Sequence, residues 1–287
     1  MTNKTPPPKR AILLAVAAIF CFGIMDVAVK AVSPMTGTLP ALWARYAGQM
    51  FIVLVLVAPR LRQVAHSAYP KLQITRSLLL MMATFFFFLA LGQIGLAEAT
   101  AVMAMNPLLI TLGAALFLGE ALGPRRIGAI AVALVGALIV IRPGTDVFQP
   151  AGLLPLVAAF CFASYTLITR RLGPDEDVWT SLFYTGLVGA VILTLILPFH
   201  MPTFNLTSIA LLCLIGAVGT AGQLMLIRAL SMAEAGLLAP FNYTGLIFAV
   251  IWGLVLFGEV PDAFTMLGAL VIAGAGIYVW HRETRVA

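Results

Sequence analysis

Long apolar segments alternate along the chain with short segments that hold most of its charges, prolines and glycines. Each apolar segment has the length of about 17 to 25 residues that a helix needs to cross the hydrocarbon core of a bilayer. The pattern therefore predicts ten membrane-spanning helices. They cover residues 11–33, 40–58, 75–94, 98–119, 125–142, 151–171, 178–198, 206–229, 235–257 and 263–281.

The fourth segment carries both the boundaries of a span and a break within it. Between Glu98 and Glu120 lie 21 residues without a charge. A helix over this stretch places the two glutamates about 33 Å apart, close to the thickness of the hydrocarbon core. Asn106-Pro107 lies in its middle. Proline removes a backbone donor and displaces a carbonyl that lipid cannot satisfy. We expect a helix break that faces protein or a cavity; a kink that serves packing alone is the alternative.

Composition excludes a soluble globular protein. Of the 287 residues, 62% are hydrophobic and 10% are charged, whereas soluble domains average about 25% charged residues. Cys21, Cys161 and Cys213 all lie within apolar runs, so we interpret them as small buried hydrophobic residues rather than as disulfide partners or metal ligands. The first apolar run is too long for the core of a cleaved signal peptide and is expected to be a retained span.

The basic residues show which ends of the spans face the cytoplasm. Ten spans place fourteen lysines and arginines on one side of the membrane: Lys4, Lys9, Arg10, Arg60, Arg62, Lys71, Arg76, Arg125, Arg126, Arg170, Arg171, Arg228, Arg282 and Arg285. The other side receives Lys30, Arg45 and Arg142. This asymmetry predicts that both termini are cytoplasmic. The net charge of +6 thus reflects topology, and no nucleic-acid partner is expected.

The chain repeats itself at a distance of about 140 residues. Matching pairs are Leu13 and Leu153, Phe20 and Phe160, Cys21 and Cys161, Gly128 and Gly268, and Gly136 and Gly276. We therefore divide the chain into a basic tail (1–10), two five-helix repeats (11–142 and 150–281) and a C-terminal tail (282–287). An odd number of spans per repeat inverts the second repeat relative to the first. Inverted repeats are typical of secondary transporters, which bind substrate near the midplane; a channel is the alternative.

Two short motifs carry a resemblance to a known family. Residues 116–120 read Leu-Phe-Leu-Gly-Glu and residues 255–259 read Val-Leu-Phe-Gly-Glu, each ahead of a helix rich in small residues. The chain resembles the EamA-type members of the drug/metabolite transporter superfamily, and most of all the ten-helix exporters of amino acids and metabolites, such as aromatic-amino-acid exporters. The resemblance implies a bacterial inner-membrane protein. Asn106-Pro107 stands where the family often has Glu-Pro, so a carboxylate for proton coupling is absent there.

Eight residues are predicted to line a substrate cavity near the middle of the membrane. They are Asp26, Phe85, Met103, Asn106, Tyr165, Gln223, Asn242 and Tyr243. A charge at this depth costs about 2.5–3.5 kcal/mol on insertion scales, so such residues face protein or water rather than lipid. Carboxylate, amide, phenol and thioether groups suit a mostly apolar pocket with a few orienting polar groups.

Spacing and repeat symmetry select several of these residues. Met103 and Asn106 share one face of the fourth segment, and Asn242 stands where Met103 stands in the first repeat. Hydrogen bonding between helices for packing alone is the alternative for both asparagines. Asp26 lies four residues before Lys30, so mutual neutralisation of these two charges is the alternative to a cavity role.

The remaining polar and aromatic residues within spans are interpreted by position. Phe85–Phe88 surround the third span, so at most two of them can face a pocket. Tyr165 and Gln223 lie within the sixth and eighth spans and are cavity candidates. Arg45 and Arg228 lie near the ends of spans and are interpreted as interfacial anchors.

The residue pattern of an enzyme is missing. His66, His200 and His281 lie at span ends or in loops, where they form neither a metal site nor a nucleophile–base pair with residues at membrane depth. No metal and no cofactor are expected. The expected partners are a small-molecule substrate and the lipid bilayer, and a monomer and a homodimer both remain open.

The sequence thus predicts an all-α membrane protein with ten transmembrane helices, arranged as two inverted five-helix repeats around a central cavity. By resemblance, it is a secondary transporter that exports neutral or aromatic amino acids by alternating access. A multidrug carrier, a nucleotide-sugar carrier, a channel-like facilitator and a non-transporting scaffold are the alternatives.

Overall fold

Helices form nearly all of the chain that the computed structural model describes, which is residues 8–118, 124–144, 149–172, 175–200, 202–233 and 238–286. The helices are α1 (Pro8–Thr36), α2 (Thr38–Val57), α3 (Leu61–Val64), α4 (Pro70–Leu91), α5 (Leu96–Met103), α6 (Asn106–Leu118), α7 (Pro124–Ile141), α8 (Leu154–Leu172), α9 (Val178–Ile196), α10 (Leu206–Met232), α11 (Thr244–Phe257) and α12 (Ala263–Val286). Short 3₁₀ turns cover Ala58–Arg60, Pro150–Leu153, Leu197–His200 and Ala239–Tyr243. The predictions for residues 1–7 and for Gly119-Glu120 lie outside the described residues.

The number of spans agrees with the pattern in the sequence. Within the described residues, seven helical segments are long and apolar enough to cross a bilayer, and Ile127–Ile141, Phe241–Phe257 and Ala263–Tyr278 are shorter apolar helices. No strand occurs within the described ranges. The all-helical, ten-helix fold class is confirmed.

Two ends of the first span differ from their predicted positions. Helix α1 begins at Pro8, inside the predicted tail, because proline fits the first turn of a helix, where its missing N–H has no intrahelical acceptor. At its other end α1 continues past Pro34 to Thr36. Gly37 alone separates α1 from α2 and has φ of 79°, a left-handed conformation that glycine adopts without strain.

The predicted break in the fourth span is confirmed. Helix α5 ends at Met103 and α6 begins at Asn106. Between them, Met105 N–H bonds to the Val102 carbonyl at 3.2 Å, a tighter turn than that of an α-helix. The span is therefore two half-helices whose ends meet at mid-depth.

The two repeats pack against each other along most of their helices. Helix α1, the first span of the first repeat, lies along α10, the third span of the second. In the same way α8, the first span of the second repeat, lies along α4, the third span of the first. Arg142, which follows α7, forms an ion pair with Asp262, which precedes α12. The end of α7 therefore meets the start of α12, so these equivalent helices of the two repeats run in opposite directions.

Glycines let backbones meet at two crossings between the repeats. A Cβ on Gly48 in α2 would lie 2.8 Å from Cα of Gly216 in α10. A Cβ on Gly268 in α12 would lie 2.5 Å from the carbonyl oxygen of Gly136 in α7. Small residues allow such close approach in membrane helices, where packing rather than hydrophobic burial drives association.

Candidate functional site

A cavity of about 180 Å³ lies between the repeats at the level of the α5–α6 break. Its lining comes from α1, α2, α4, α5, α6, α8 and α11 and from the 3₁₀ turn before α11. Most of the surface is apolar, with aromatic rings from Phe22, Phe87, Phe88 and Phe162. The side chains that add charge, hydroxyl or amide groups are Asp26, Arg45, Thr84, Thr100, Asn106 and Asn242.

Four of the eight predicted residues line this cavity. They are Asp26, Met103, Asn106 and Asn242. The other four, Phe85, Tyr165, Gln223 and Tyr243, are not among the lining residues. The structure therefore brings half of the predicted set together around one space.

Asp26 lies on the cavity face of α1 and has an unsatisfied acceptor. Its Oδ1 atom is buried and has no hydrogen-bond partner. Lys30, one turn further along α1, does not neutralise it, because the Lys30 ammonium lies 2.8 Å from Glu259 Oε1 and donates to the Ile94 carbonyl at 2.7 Å. Mutual neutralisation of Asp26 and Lys30 is thus not what the structure contains.

Asn106 is the first residue of α6, at the point where the fourth span breaks. It is buried, and its Oδ1 atom has no hydrogen-bond partner. Met103 ends α5 on the other side of the break and also lines the cavity. The break therefore exposes side chains from two half-helices to the same space.

Phe85 does not reach the cavity because its ring lies elsewhere on α4. It stacks edge-to-face with Phe86 at 5.4 Å between ring centroids. Phe87 and Phe88 follow on the same helix and point in other directions around its axis, and both line the cavity. Two of the four consecutive phenylalanines therefore face the pocket.

Tyr165 and Gln223 lie behind the cavity wall. Both are fully buried, and Gln223 Nε2 donates to the Tyr165 hydroxyl at 2.7 Å. Tyr243 packs against α12, where a Cβ on Gly276 would collide with the Tyr243 hydroxyl. Tyr165 and Gln223 thus satisfy each other away from the cavity, whereas the Tyr243 hydroxyl is buried without a hydrogen-bond partner.

Arg45 was interpreted as an interfacial anchor, and this was wrong. It lines the cavity and is only 5% exposed. Helix α2 begins at Thr38, so Arg45 lies about two turns, or roughly 10 Å, inside the span. The available signal was its place among only three basic residues on the outer side.

Polar contacts tie the repeats together at one end of the cavity. Besides its ion pair with Lys30, Glu259 accepts a hydrogen bond from Leu96 N–H at 3.0 Å. Leu96 begins α5 and lines the cavity. Among the residues that the structure describes, no group of histidines, cysteines and carboxylates is placed to hold a metal ion.

A model of the EamA-like transporter family matches residues 9–142 and 149–280 of this chain. The chain belongs to the EamA-like transporter family.

Named relatives in this family transport different metabolites. The chain is 32% identical over 222 residues to a riboflavin transporter of Rhizobium johnstonii, covering 76% of this chain and 72% of that protein. It is 31% identical over 278 residues to a pseudopaline exporter of Pseudomonas aeruginosa, covering 94% and 95%. It is 29% identical over 216 residues to an S-adenosylmethionine uptake transporter of Rickettsia bellii, covering 75% and 74%.

A solved crystal structure shares the EamA-like fold of this chain. It superposes with a TM-score of 0.69 over 97% of this chain and 99% of its own, at 19% identity. At this identity the likeness establishes the fold alone.

Membership of the EamA-like family establishes the general activity. The chain is a multi-pass membrane transporter of small metabolites, and the expectation that it is not an enzyme is confirmed because the family and these relatives are transporters. The predicted likeness to the superfamily is also confirmed. The three relatives above are named for other cargoes than aromatic amino acids.

Proposed function

We propose that this EamA-like protein exports neutral and aromatic amino acids across a bacterial inner membrane. One observation carries the proposal: Asp26, whose Oδ1 atom has no hydrogen-bond partner, lies in a mostly apolar cavity with four phenylalanine rings and two asparagines. Such a cavity is complementary to a small solute with an ammonium group and an apolar side chain.

The ammonium group of the substrate binds at Asp26. A buried carboxylate oxygen without a donor is costly, and a charged donor satisfies it with a strong hydrogen bond. The amide groups of Asn106 and Asn242 add neutral hydrogen bonds that orient the solute without burying another full charge.

The side chain of the substrate packs against the phenylalanine rings. Aromatic rings prefer edge-to-face or offset contacts with other rings, worth about 0.5–1.5 kcal/mol beyond the burial of their area. The cavity volume of about 180 Å³ is below the range of about 300–1,000 Å³ that is typical of drug-sized ligands. Both properties favour a compact aromatic or aliphatic solute.

The distribution of basic residues supports cytoplasmic termini. Each of the three basic residues on the opposite side has a specific environment: Lys30 pairs with Glu259, Arg142 pairs with Asp262, and Arg45 is buried at the cavity. Their positions are therefore explained by local contacts, and the remaining bias follows the positive-inside rule.

Transport proceeds by alternating access. The repeat 11–142 rocks against the repeat 150–281, so that the central cavity opens to the cytoplasm and to the outside in turn. Export follows from loading on the cytoplasmic side, and the family contains proteins named for both export and uptake.

Counterflow in proteoliposomes tests this proposal. A panel of amino acids, riboflavin, nucleotide sugars and cationic drugs is loaded inside vesicles, and uptake of labelled phenylalanine is followed. Acceleration by internal phenylalanine or leucine supports an amino-acid carrier. Acceleration only by another class of compound rejects the proposed cargo, and flux without acceleration indicates a channel. Absence of any phenylalanine flux also rejects the proposed cargo.

A flat heteroaromatic metabolite is the second candidate cargo. The 32% identity to a riboflavin transporter over 76% of this chain favours it. The same panel separates the two candidates, because riboflavin lacks an ammonium group for Asp26. Transport of riboflavin that persists in Asp26→Asn would favour this second candidate.

A further inference from the structure

We propose that Arg45 binds a carboxylate of the substrate, so that the cavity recognises the acidic as well as the basic end of an amino acid. This inference rests on the proposed function, since it concerns the same cavity. It names the cargo class more narrowly: compounds with a free carboxylate, as opposed to amines, amides and esters of the same shape.

Arg45 is a buried cation without a direct ion pair, although its charge attracts the nearby Asp26. It is 5% exposed, and among the described residues no carboxylate forms an ion pair with it. Arginine keeps its charge under all ordinary conditions. A permanent buried charge needs compensating interactions. Because Arg45 lines the cavity, a bound substrate can provide them.

The hydrogen bonds of the Arg45 guanidinium are weak. Its Nη1 atom donates to the Met25 sulfur at 3.1 Å, its Nη2 atom donates to Gln223 Oε1 at 3.4 Å, and its Nε atom has no partner. A thioether is a poor acceptor, and a guanidinium has five N–H donors. A carboxylate is the acceptor that this donor set lacks.

Surrounding groups hold the guanidinium in one place. Its Cζ atom lies 5.7 Å from the centre of the Phe22 ring and 5.6 Å from the centre of the Tyr46 ring. Gln223, which accepts from Arg45, is itself fixed by its bond to Tyr165. Gln223 and Tyr165 are thus positioning residues, which act on the substrate through Arg45.

The two charges of the cavity suit the two ends of an amino acid. Asp26 and Arg45 lie on α1 and α2 and both line the cavity, where their charges attract each other without forming a direct ion pair. A zwitterion that lies between them can pair its ammonium with Asp26 and its carboxylate with Arg45. An amine lacks the group for Arg45, and an acid lacks the group for Asp26.

Two half-substrates test this assignment in a binding assay that does not require transport. Binding of 3-phenylpropionate, which has no ammonium, and of phenethylamine, which has no carboxylate, is measured on the purified full chain by displacement of labelled phenylalanine and by thermal stabilisation. We expect Arg45→Gln to weaken 3-phenylpropionate binding about 10- to 100-fold and to leave phenethylamine binding within about threefold. Asp26→Asn gives the opposite pattern.

Further variants separate recognition from folding. We expect Arg45→Lys to recover part of the 3-phenylpropionate affinity, because it restores a cation. Gln223→Leu weakens 3-phenylpropionate and spares phenethylamine, a selective effect that a general loss of structure would not produce. In counterflow, Arg45→Gln abolishes the preference of the wild type for phenylalanine over phenylalaninamide.

Two outcomes overturn the inference, and a third overturns only the proposed cargo. Wild-type protein that does not bind 3-phenylpropionate, or Arg45→Gln that binds it as the wild type does, removes Arg45 from recognition. Equal loss of both half-substrates in Arg45→Gln and Arg45→Lys assigns Arg45 a purely structural role. If amino acids are not transported but Arg45→Gln selectively loses 3-phenylpropionate, the proposed cargo fails and the carboxylate site stands.

Discussion

The Lys30 ammonium lies 2.8 Å from Glu259 Oε1 and thereby joins the two repeats at one end of the cavity. Lys30 is one turn, about 6 Å along the helix, beyond Asp26. Glu259 also holds Leu96 N–H at the start of α5. One carboxylate therefore ties together α1, the start of α5 and the loop before α12, the elements that surround this end of the cavity.

We predict that Glu259→Gln opens this end of the cavity more often. An ion pair of this exposure contributes about 1 kcal/mol at most, so its loss shifts an open–closed equilibrium by up to about fivefold. The measurement is the labelling rate of a cysteine at Thr100 by a membrane-impermeant maleimide, in a chain whose native cysteines are replaced.

Asp262→Asn is the matched control for this experiment. It removes the ion pair with Arg142 at the same end of the protein, but neither residue lines the cavity. Labelling at Thr100 should stay close to the starting rate in this control. An equal labelling rate in Glu259→Gln and the parent chain would show that the Lys30–Glu259 pair does not restrict access.

We expect the titration of Asp262 to reduce the stability of the protein in acid. Asp262 accepts from Thr265 N–H at 2.8 Å as the N-cap of α12. Partial burial raises its pKa, but hydrogen bonds from Thr265 and the hydrogen bond and charge of Arg142 outweigh this and hold the pKa of Asp262 below its ordinary value. Because the pKa is lower in the folded than in the unfolded protein, the ionised carboxylate stabilises the fold at a pH above the unfolded-state pKa. This stabilisation is lost as the pH falls through the folded-state pKa.

Thermal melting of the purified protein between about pH 5 and pH 3 measures this contribution. The melting temperature of the wild type should fall more steeply than that of Asp262→Asn, because asparagine still caps a helix but does not titrate in this range. Parallel curves for the two proteins would contradict the assigned role of Asp262.

The α7–α12 crossing predicts different effects for two glycines on one helix. Gly268→Ala places a Cβ 2.5 Å from the Gly136 carbonyl oxygen and from Val140 Cγ2, so we expect a loss of about 1–3 kcal/mol from overpacking. Gly274→Ala on the same helix meets no atom within 4 Å and should change stability by less than ~1 kcal/mol. Melting in detergent compares them; similar melting temperatures would contradict the crossing.

Asn106→Ala should lower transport without affecting folding. Its Oδ1 atom accepts no hydrogen bond within the protein, so the substitution removes no internal hydrogen bond to this atom. The substrate, in contrast, loses an acceptor for one of its hydrogen-bond donors. The KM for the amino acid should rise about tenfold, measured by counterflow at equal protein content. Gln93→Ala, at an exposed site outside the cavity, is the control, and unchanged transport in Asn106→Ala would remove Asn106 from the site.

The sequence predicts the features that local physics determines. The spans follow from the length of apolar runs, and the break before Asn106 follows because proline cannot continue a hydrogen-bonded helix. Asp26 also follows, since a charge at this depth in α1 has to face protein or water. These predictions need no knowledge of which helices are neighbours.

Features that depend on neighbouring helices could not be predicted in this way. Arg45 lies beside Gly219 of α10, where the missing side chain leaves room for its stem. Tyr165 and Gln223 satisfy each other across two helices instead of facing the cavity. The boundary of α2 added to the error, because Gly37 lets the helix begin two residues earlier than expected, which buries Arg45 more deeply.

The two glycine crossings restrict how the halves can move. Where Gly48 meets Gly216 and Gly136 meets Gly268, main chain touches main chain, with no flexible side chain between them to absorb a shear. Sliding one helix along its neighbour would drive a larger residue into the contact. The two crossings therefore act as fixed pivots. The packing permits the helices to change their tilt about these points but not to slide along each other.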